Sequence, residues 1–219
     1  MPFNYQLTPL SETAVLLLFD NKIDPDINAL VNRLHRYWLQ QPFEGLIETV
    51  PAYNSLAFFM DALKLHQLGQ TPIGAVGEQL NIALQQTETQ EQPNSIVKKI
   101  PVRYDGADMA YVAQRNNISV AELVALHTGS IYQVFMMGFQ PGFGYMGITD
   151  ANLFTERKVK PVTVAAGSVG LAGNQTGVYP KQSPGGWQII GHTELAMFDG
   201  ESEHPFYLQT GDRVQFIAV

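Results

Sequence analysis

Gly138-Phe139-Gln140-Pro141-Gly142-Phe143-Gly144-Tyr145 opens the segment that decides the fold of this 219-residue chain. Ala166-Gly167-Ser168-Val169-Gly170 and Asn174-Gln175-Thr176-Gly177-Val178-Tyr179-Pro180 follow. Ser183-Pro184-Gly185-Gly186-Trp187-Gln188-Ile189-Ile190-Gly191-His192-Thr193 closes it. Eleven of the nineteen glycines fall between 138 and 193, and between 161 and 193 the only Asp, Glu, Lys or Arg is Lys181. Surface loops ordinarily carry charge, whereas this segment alternates glycine with aromatics, hydroxyls and amides. Two readings fit. Tight backbone turns could line a pocket where amides and side chains converge on a ligand. Alternatively the glycines and prolines punctuate hairpins of a small β-barrel that holds nothing. Composition favours the pocket.

The flanks complete the barrel. Upstream, 96–102 and 132–137 are short apolar runs that read as strands. Between them Ser119-Val120-Ala121-Glu122 is a capping box, with Ile118 and Leu123 set as its hydrophobic staple. The helix it starts carries Val120, Leu123, Val124 and His127, and Gly129 is a stop signal. Downstream, the runs 195–198, 206–208 and 214–219 are separated by turn signals, with Gly211-Asp212 marking a last hairpin. Strands this short and dense predict a closed or nearly closed barrel over 96–219.

The first 86 residues carry a different pattern. An apolar run at 13–19 reads as a strand, and Asp24-Pro25 starts a helix, because Asp caps free amides and Pro at the first position loses no bond. Ile27, Leu30, Val31, Leu34 and Trp38 follow at helical spacing. Strands at 46–50 and 55–60 come next, and Thr71-Pro72 starts a second helix with Ile73, Val76, Leu80 and Leu84 as its inner stripe. This order predicts an α+β fold, with a ferredoxin-like α/β sandwich over 1–86. The polar run at 87–95 reads as a linker to the barrel domain.

A net charge of −7 argues against a nucleic-acid binder or a protein drawn to anionic membranes. With no cysteine, neither a disulfide nor a thiolate site is possible. No basic leader or long apolar run is visible, so the expectation is a cytoplasmic protein. No phosphate loop of the Gly-x4-Gly-Lys-Ser/Thr form and no dinucleotide fingerprint occurs. The five histidines include no pair at helical ligand spacing, so no metal site is expected. His127 and His192 border or lie within the glycine-rich segment. Each can be read as an acid, base or donor in a pocket, and His127 equally as a helix-terminal residue bonding the last carbonyls. Ser168 fails the nucleophile-elbow pattern because position 166 is Ala, and reads better as a hydrogen-bond donor in a turn. Trp187 can wall a pocket or anchor a core.

These motifs, together with Glu12-Thr13-Ala14-Val15, Ile23-Asp24-Pro25, Val50-Pro51-Ala52-Tyr53, Ile100-Pro101-Val102, Leu126-His127 and a terminal Gly-Asp-x-Val-x-Phe at 211–216, run in one order nearly end to end. In that order they resemble the bacterial family of 5-oxoprolinase B subunits, which also includes the sporulation kinase A inhibitor. The resemblance implies a first α/β domain followed by a cyclophilin-like β-barrel domain. It implies one component of an ATP-dependent complex, with companion subunits A and C, that opens the lactam of 5-oxo-L-proline to L-glutamate. ATP would be used by the complex, activating an amide that resists water. The alternatives within the resemblance are a regulator that inhibits a sensor histidine kinase and a non-catalytic scaffold.

Carried over position by position, the implied site residues are His127, as orienter or proton carrier, with Phe139, Pro141, Phe143 and Tyr145. Arg157, Ser168, Gln175 and Thr176 follow, then Tyr179, Trp187 and His192. Two departures stand out. The family's second Pro-Arg before Val-Pro-Ala-Gly-Ser-Val is missing in 155–169, where Ala165 replaces the proline and Arg157 keeps the first arginine. Asp105-Gly106-Ala107-Asp108-Met109-Ala110-Tyr111 stands where the family has a glycine-rich loop.

Overall fold

The computed structural model describes residues 3–87 and 96–219. The chain divides into two compact units, Met1–Pro93 and Asn94–Val219. Apart from Thr87, the linker expected at 87–95 lies outside the described residues.

In the first unit β1 (Tyr5–Ser11), β2 (Ala14–Phe19), β3 (Leu46–Pro51) and β4 (Ser55–Met60) form an antiparallel sheet in the order β1-β2-β4-β3. Helices α1 (Pro25–Gln40), α2 (Ala62–Gln67) and α3 (Pro72–Thr87) complete it. Asp24 caps α1 by accepting from the amides of Asp26 and Ile27, at 3.0 and 3.3 Å. Thr71 accepts from the Gly74 amide at 3.2 Å. Period-2 residues of the strands and the helical stripes meet in one core around Val15, Leu17, Ile27, Leu34, Trp38, Phe58 and Val76. The strand β1 was not among those expected from sequence, and it contains Pro9. The proline is tolerated there because β1 is an edge strand.

The second unit winds β5 (Val97–Val102), α4 (Met109–Arg115), α5 (Val120–Gly129), β6 (Tyr132–Met137), β7 (Gly144–Gly147), β8 (Val162–Val164), β9 (Ser168–Ala172), β10 (Gln175–Val178), β11 (Ser183–Gly185), β12 (Gln188–His192) and β13 (Arg213–Ala218). Seven of these strands form a sheet in the order β12-β9-β10-β7-β6-β13-β5. Its two edges are stitched by an antiparallel bridge in which the Arg103 and His192 backbones exchange bonds of 2.9 Å. The sheet is therefore a nearly closed barrel. β8 and β11 pair separately as a two-stranded ribbon.

The capping box forms as read, with Ser119 Oγ accepting from the Glu122 amide at 3.1 Å and the Glu122 carboxylate accepting from the Ser119 amide at 2.7 Å. Downstream the reading is corrected. The runs 195–198 and 206–208 are not strands. They meet only through a single bridge, Phe198 to Phe206. Gly211-Asp212 opens no hairpin: the Gly211 amide and the Asp212 carbonyl bond Val134, so the turn feeds β13 directly onto β6. Asp108 stands at the N-cap of α4 but makes no side-chain cap bond, because its carboxylate is engaged elsewhere.

Strand alternation sorts the barrel wall into two faces. Ile100, Val134, Met146, Val169, Leu171, Val178, Ile190, Val214 and Phe216 point inward, where Met109, Val112 and Leu123 of the helices join them in one core. Tyr145, Ala172 and Ile189 point outward and pack with Phe143, Val164, Tyr179 and Trp187 in a separate cluster.

Candidate functional site

The outer cluster is built on glycine. Gly177 alternates with the inward Thr176 and Val178, so its missing side chain faces the aromatics. A Cβ there would lie 3.0 Å from the Gly144 carbonyl and 3.1 Å from both the Phe143 and Trp187 rings. Only glycine lets those rings lie flat on the strand. The rings then meet edge to face: Phe143 lies 4.9 Å from Tyr145, 5.4 Å from Tyr179 and 5.3 Å from Trp187. Offset contacts of this kind favour a rigid wall.

Phe139 adds a fifth ring, 5.4 Å from Phe143 and 6.2 Å from Tyr179. Its φ of 67° is left-handed, which a side-chain-bearing residue adopts at a cost of about 1 kcal/mol or more. The turn imposes it: the Gln140 amide bonds the Gly138 carbonyl at 2.8 Å and the Phe143 amide bonds the Gln140 carbonyl at 3.0 Å. Phe139 nevertheless remains 59% exposed, so burial does not offset the strain.

The five rings and the strap 157–161 enclose a cavity of about 310 Å³, closed on another side by Pro184, Gly185 and Gly186. The strap is anchored at three points. The Lys158 amide bonds the Gly186 carbonyl at 2.7 Å, and Gln188 Nε2 donates to the Glu156 carbonyl at 3.0 Å. Lys158 Nζ pairs with Asp108 Oδ2 at 2.5 Å, both side chains about four-fifths covered. The same Asp108 oxygen accepts from the Ile189 amide at 2.7 Å. Arg157 is exposed on the cavity rim and forms no salt bridge among the described residues. Burial pushes the Tyr179 phenol above its ordinary value, while the Trp187 backbone amide and the Arg157 guanidinium pull against that shift.

Six of the residues singled out from sequence thus share one cavity: Phe139, Phe143, Tyr145, Arg157, Tyr179 and Trp187. Pro141 does not. It lines a neighbouring cavity of about 450 Å³ with Met137, Phe206 and Leu208, on the far side of Phe139. Ser168 and His192 are register partners at the seam that closes the barrel, where His192 Nε2 lies 3.3 Å from Glu194. Gln175 sits at the β9–β10 hairpin opposite Ala172.

His127 and Thr176 lie inside the barrel. His127 is fully buried against Phe216, ring centroids 4.4 Å apart. Its Nδ1 is 2.6 Å from the Tyr104 hydroxyl and its Nε2 is 2.9 Å from Thr176 Oγ1. Thr176 Oγ1 donates to the Gly170 carbonyl at 3.1 Å, so it accepts from the Nε2 hydrogen, and Nδ1 accepts from Tyr104. Burial pushes this imidazole down to about 3. It is a neutral link between α5 and the barrel wall. The expectation that it bonds the last helical carbonyls is corrected, because both ring nitrogens are engaged with hydroxyls.

Sequence reasoning missed Asp108 and Lys158. The signal was the lone acidic residue opening α4, which looked like part of a drifted loop. Among the described residues no group of three or more His, Cys, Asp or Glu side chains is placed to hold a metal ion. Nor is any described helix long and apolar enough to cross a membrane.

Comparison with known proteins gives the chain its relatives. The family model described as "Carboxyltransferase domain, subdomain C and D" matches residues 5–208. The chain is 37% identical over 227 residues to the B subunit of 5-oxoprolinase from Bacillus subtilis (strain 168), covering 100% of this chain and 95% of that protein. It is 36% identical to the B subunit of 5-oxoprolinase from Escherichia coli O157:H7, covering 95% and 93%. Among solved structures it resembles TTHA0988, with a TM-score of 0.80 and 35% identity over 94% of this chain. It spans only 39% of the TTHA0988 chain, whose greater part has no counterpart here.

Proposed function

This chain belongs to the carboxyltransferase subdomain C and D family and, within it, to the 5-oxoprolinase B subunits, and we propose from that premise that it is the B subunit of a complex that hydrolyses 5-oxo-L-proline to L-glutamate with consumption of ATP. The observation that carries the chemistry is the cavity of about 310 Å³, with five aromatic walls and one unpaired guanidinium at its rim. 5-Oxoproline is a small, nearly planar ring with one carboxylate. Its ring fits between aromatic faces, and its carboxylate matches Arg157, whose fork suits carboxylate recognition. The phenol of Tyr179, held protonated by burial, can donate to the lactam oxygen as charge develops there.

The residues present do not fit a nucleotide. A triphosphate needs several cations or a loop of converging amides, whereas the rim offers one free guanidinium beside a lysine already paired. ATP therefore belongs with the companion subunits A and C, and this chain contributes binding and orientation of the lactam. Phe139 and Val159 stay exposed at the mouth, 59% and 99%, and an activated amide must be kept from bulk water until it reacts. Both points favour a site completed by a partner in a cytoplasmic complex. The two units are read as a ferredoxin-like sandwich, its fourth strand supplied from the N-terminal side, and a cyclophilin-like barrel. The sheet order β1-β2-β4-β3 and the nearly closed seven-stranded sheet support both.

The test is Arg157→Met in the reconstituted three-component complex. Loss of one charge-assisted contact raises KM for 5-oxoproline by about ten- to a hundred-fold, with the complex still assembled. An unchanged KM, or a complex equally active without this chain, sinks the reading.

A further inference from the structure

Lys158 lines the same cavity as Arg157 yet is not available to it. Its ammonium is 2.5 Å from Asp108 Oδ2, and the two side chains are only 20% and 19% exposed. Asp108 is itself fixed, because that oxygen accepts from the Ile189 amide at 2.7 Å and the Asp108 amide donates to the Ile189 carbonyl at 2.9 Å. Ile189 belongs to the outer cluster that floors the cavity. A rigid carboxylate on the barrel wall thus neutralises one of the two cations that the strap brings to the rim. Two adjacent cations would hold a dianion, whereas one free cation beside a paired one holds a single carboxylate.

We propose that Asp108 is a specificity-determining residue: by holding Lys158 it leaves Arg157 as the only free cation among the described residues that line the cavity, so the cavity selects ligands bearing one carboxylate over those bearing two. The inference rests on the reading of the cavity as the lactam site. Its consequence for turnover is directional. Opening the ring breaks the C–N bond of the lactam, with water supplying oxygen and hydrogen, and yields a second carboxylate and an ammonium. A cavity with one free cation has no partner for that new carboxylate, and the product leaves.

The reconstituted complex tests this with 5-oxoproline as substrate and glutarate, a five-carbon dicarboxylate, as competing probe. Asp108→Asn keeps an acceptor for the Ile189 amide and removes the charge that holds Lys158. The ratio of the glutarate Ki to the 5-oxoproline KM should fall about tenfold, the gain of one charge-assisted contact for the dianion. The double variant Asp108→Asn/Lys158→Met should return the ratio to its wild-type value, and Lys158→Met alone should not move it. A wild-type ratio in Asp108→Asn, or a shifted ratio in Lys158→Met, overturns the inference. If Asp108→Asn does not assemble, Asp108→Ser, which also removes the charge that holds Lys158, is read in the same ratio in its place. Failure of the lactam reading looks different, since Arg157→Met then leaves KM untouched whatever Asp108 does.

Discussion

Replacing His127 by Gln asks whether this imidazole ties the barrel together or carries protons. Its ordinary value of 6.5 is pushed down to about 3 by complete burial. As pH falls below 6.5 the unfolded chain takes up the proton and the folded chain does not. Stability from this group is therefore fully present above 6.5 and is lost progressively as pH falls towards about 3. One proton of difference corresponds to about 1.4 kcal/mol per pH unit, which integrates to about 2 kcal/mol between about pH 7.5 and pH 5. His127→Gln removes that slope and at high pH also disturbs the bonds to Tyr104 and Thr176. The variant is therefore less stable than wild type at pH 7.5, and the gap narrows by about 2 kcal/mol at pH 5. Other titrating groups are common to both proteins and cancel to first order. The chain has two tryptophans, and in a Trp38→Phe background only Trp187 remains to report on the second unit in urea titrations. Parallel stability curves for the two proteins would refute the reasoning. The folded imidazole would then titrate as it does in solution and be free to carry a proton near neutrality.

Two substitutions test the aromatic layer. Phe139→Gly and Phe139→Ala both remove a wall and should raise KM for 5-oxoproline, but only glycine relieves the φ of 67°. The Gly variant should thus be more stable than the Ala variant by about 1 kcal/mol in urea, and equal midpoints would show that the turn is unstrained. Gly177→Ala places a methyl 3.1 Å from the Phe143 and Trp187 rings. Overpacking should cost about 1–3 kcal/mol and shift the Trp187 emission, while an unperturbed spectrum would mean the rings do not rest on that strand.

Much of the fold was legible because local signals agreed with tertiary need. Asp24-Pro25 and the Ser119–Glu122 pair start helices by satisfying amides that any helix leaves open, so no knowledge of the rest of the chain was required. What sequence could not give was the side of the wall on which a residue lands. Thr176 and Gly177 are neighbours, yet one bonds His127 inside and the other floors the cavity outside. A one-residue shift of register would exchange them, and register is fixed by partners distant in the chain. Asp108 was illegible for a related reason. An acidic residue just before a helix normally caps it, whereas here the carboxylate reaches Ile189 and Lys158, eighty-one and fifty positions away in sequence.

The placement of the cavity follows from the same division of faces. The barrel interior is filled by Val134, Met146, Leu171, Ile190 and Phe216, with the neutral His127 network between them. The cavity proposed as the lactam site lies instead on the outer wall, and a barrel wall is convex. Concavity has to be added, and the strap 157–161 with the β8–β11 ribbon adds it on two sides. The remaining side stays open over Phe139 and Val159. On the function proposed above, the open side suits a reaction divided among several chains: the lactam would be held here by its ring and carboxylate, with its amide presented outward to a partner. On the same proposal the tethering of Lys158 by Asp108 would serve that division of labour, because a cavity open to a partner must let go of what the partner has converted.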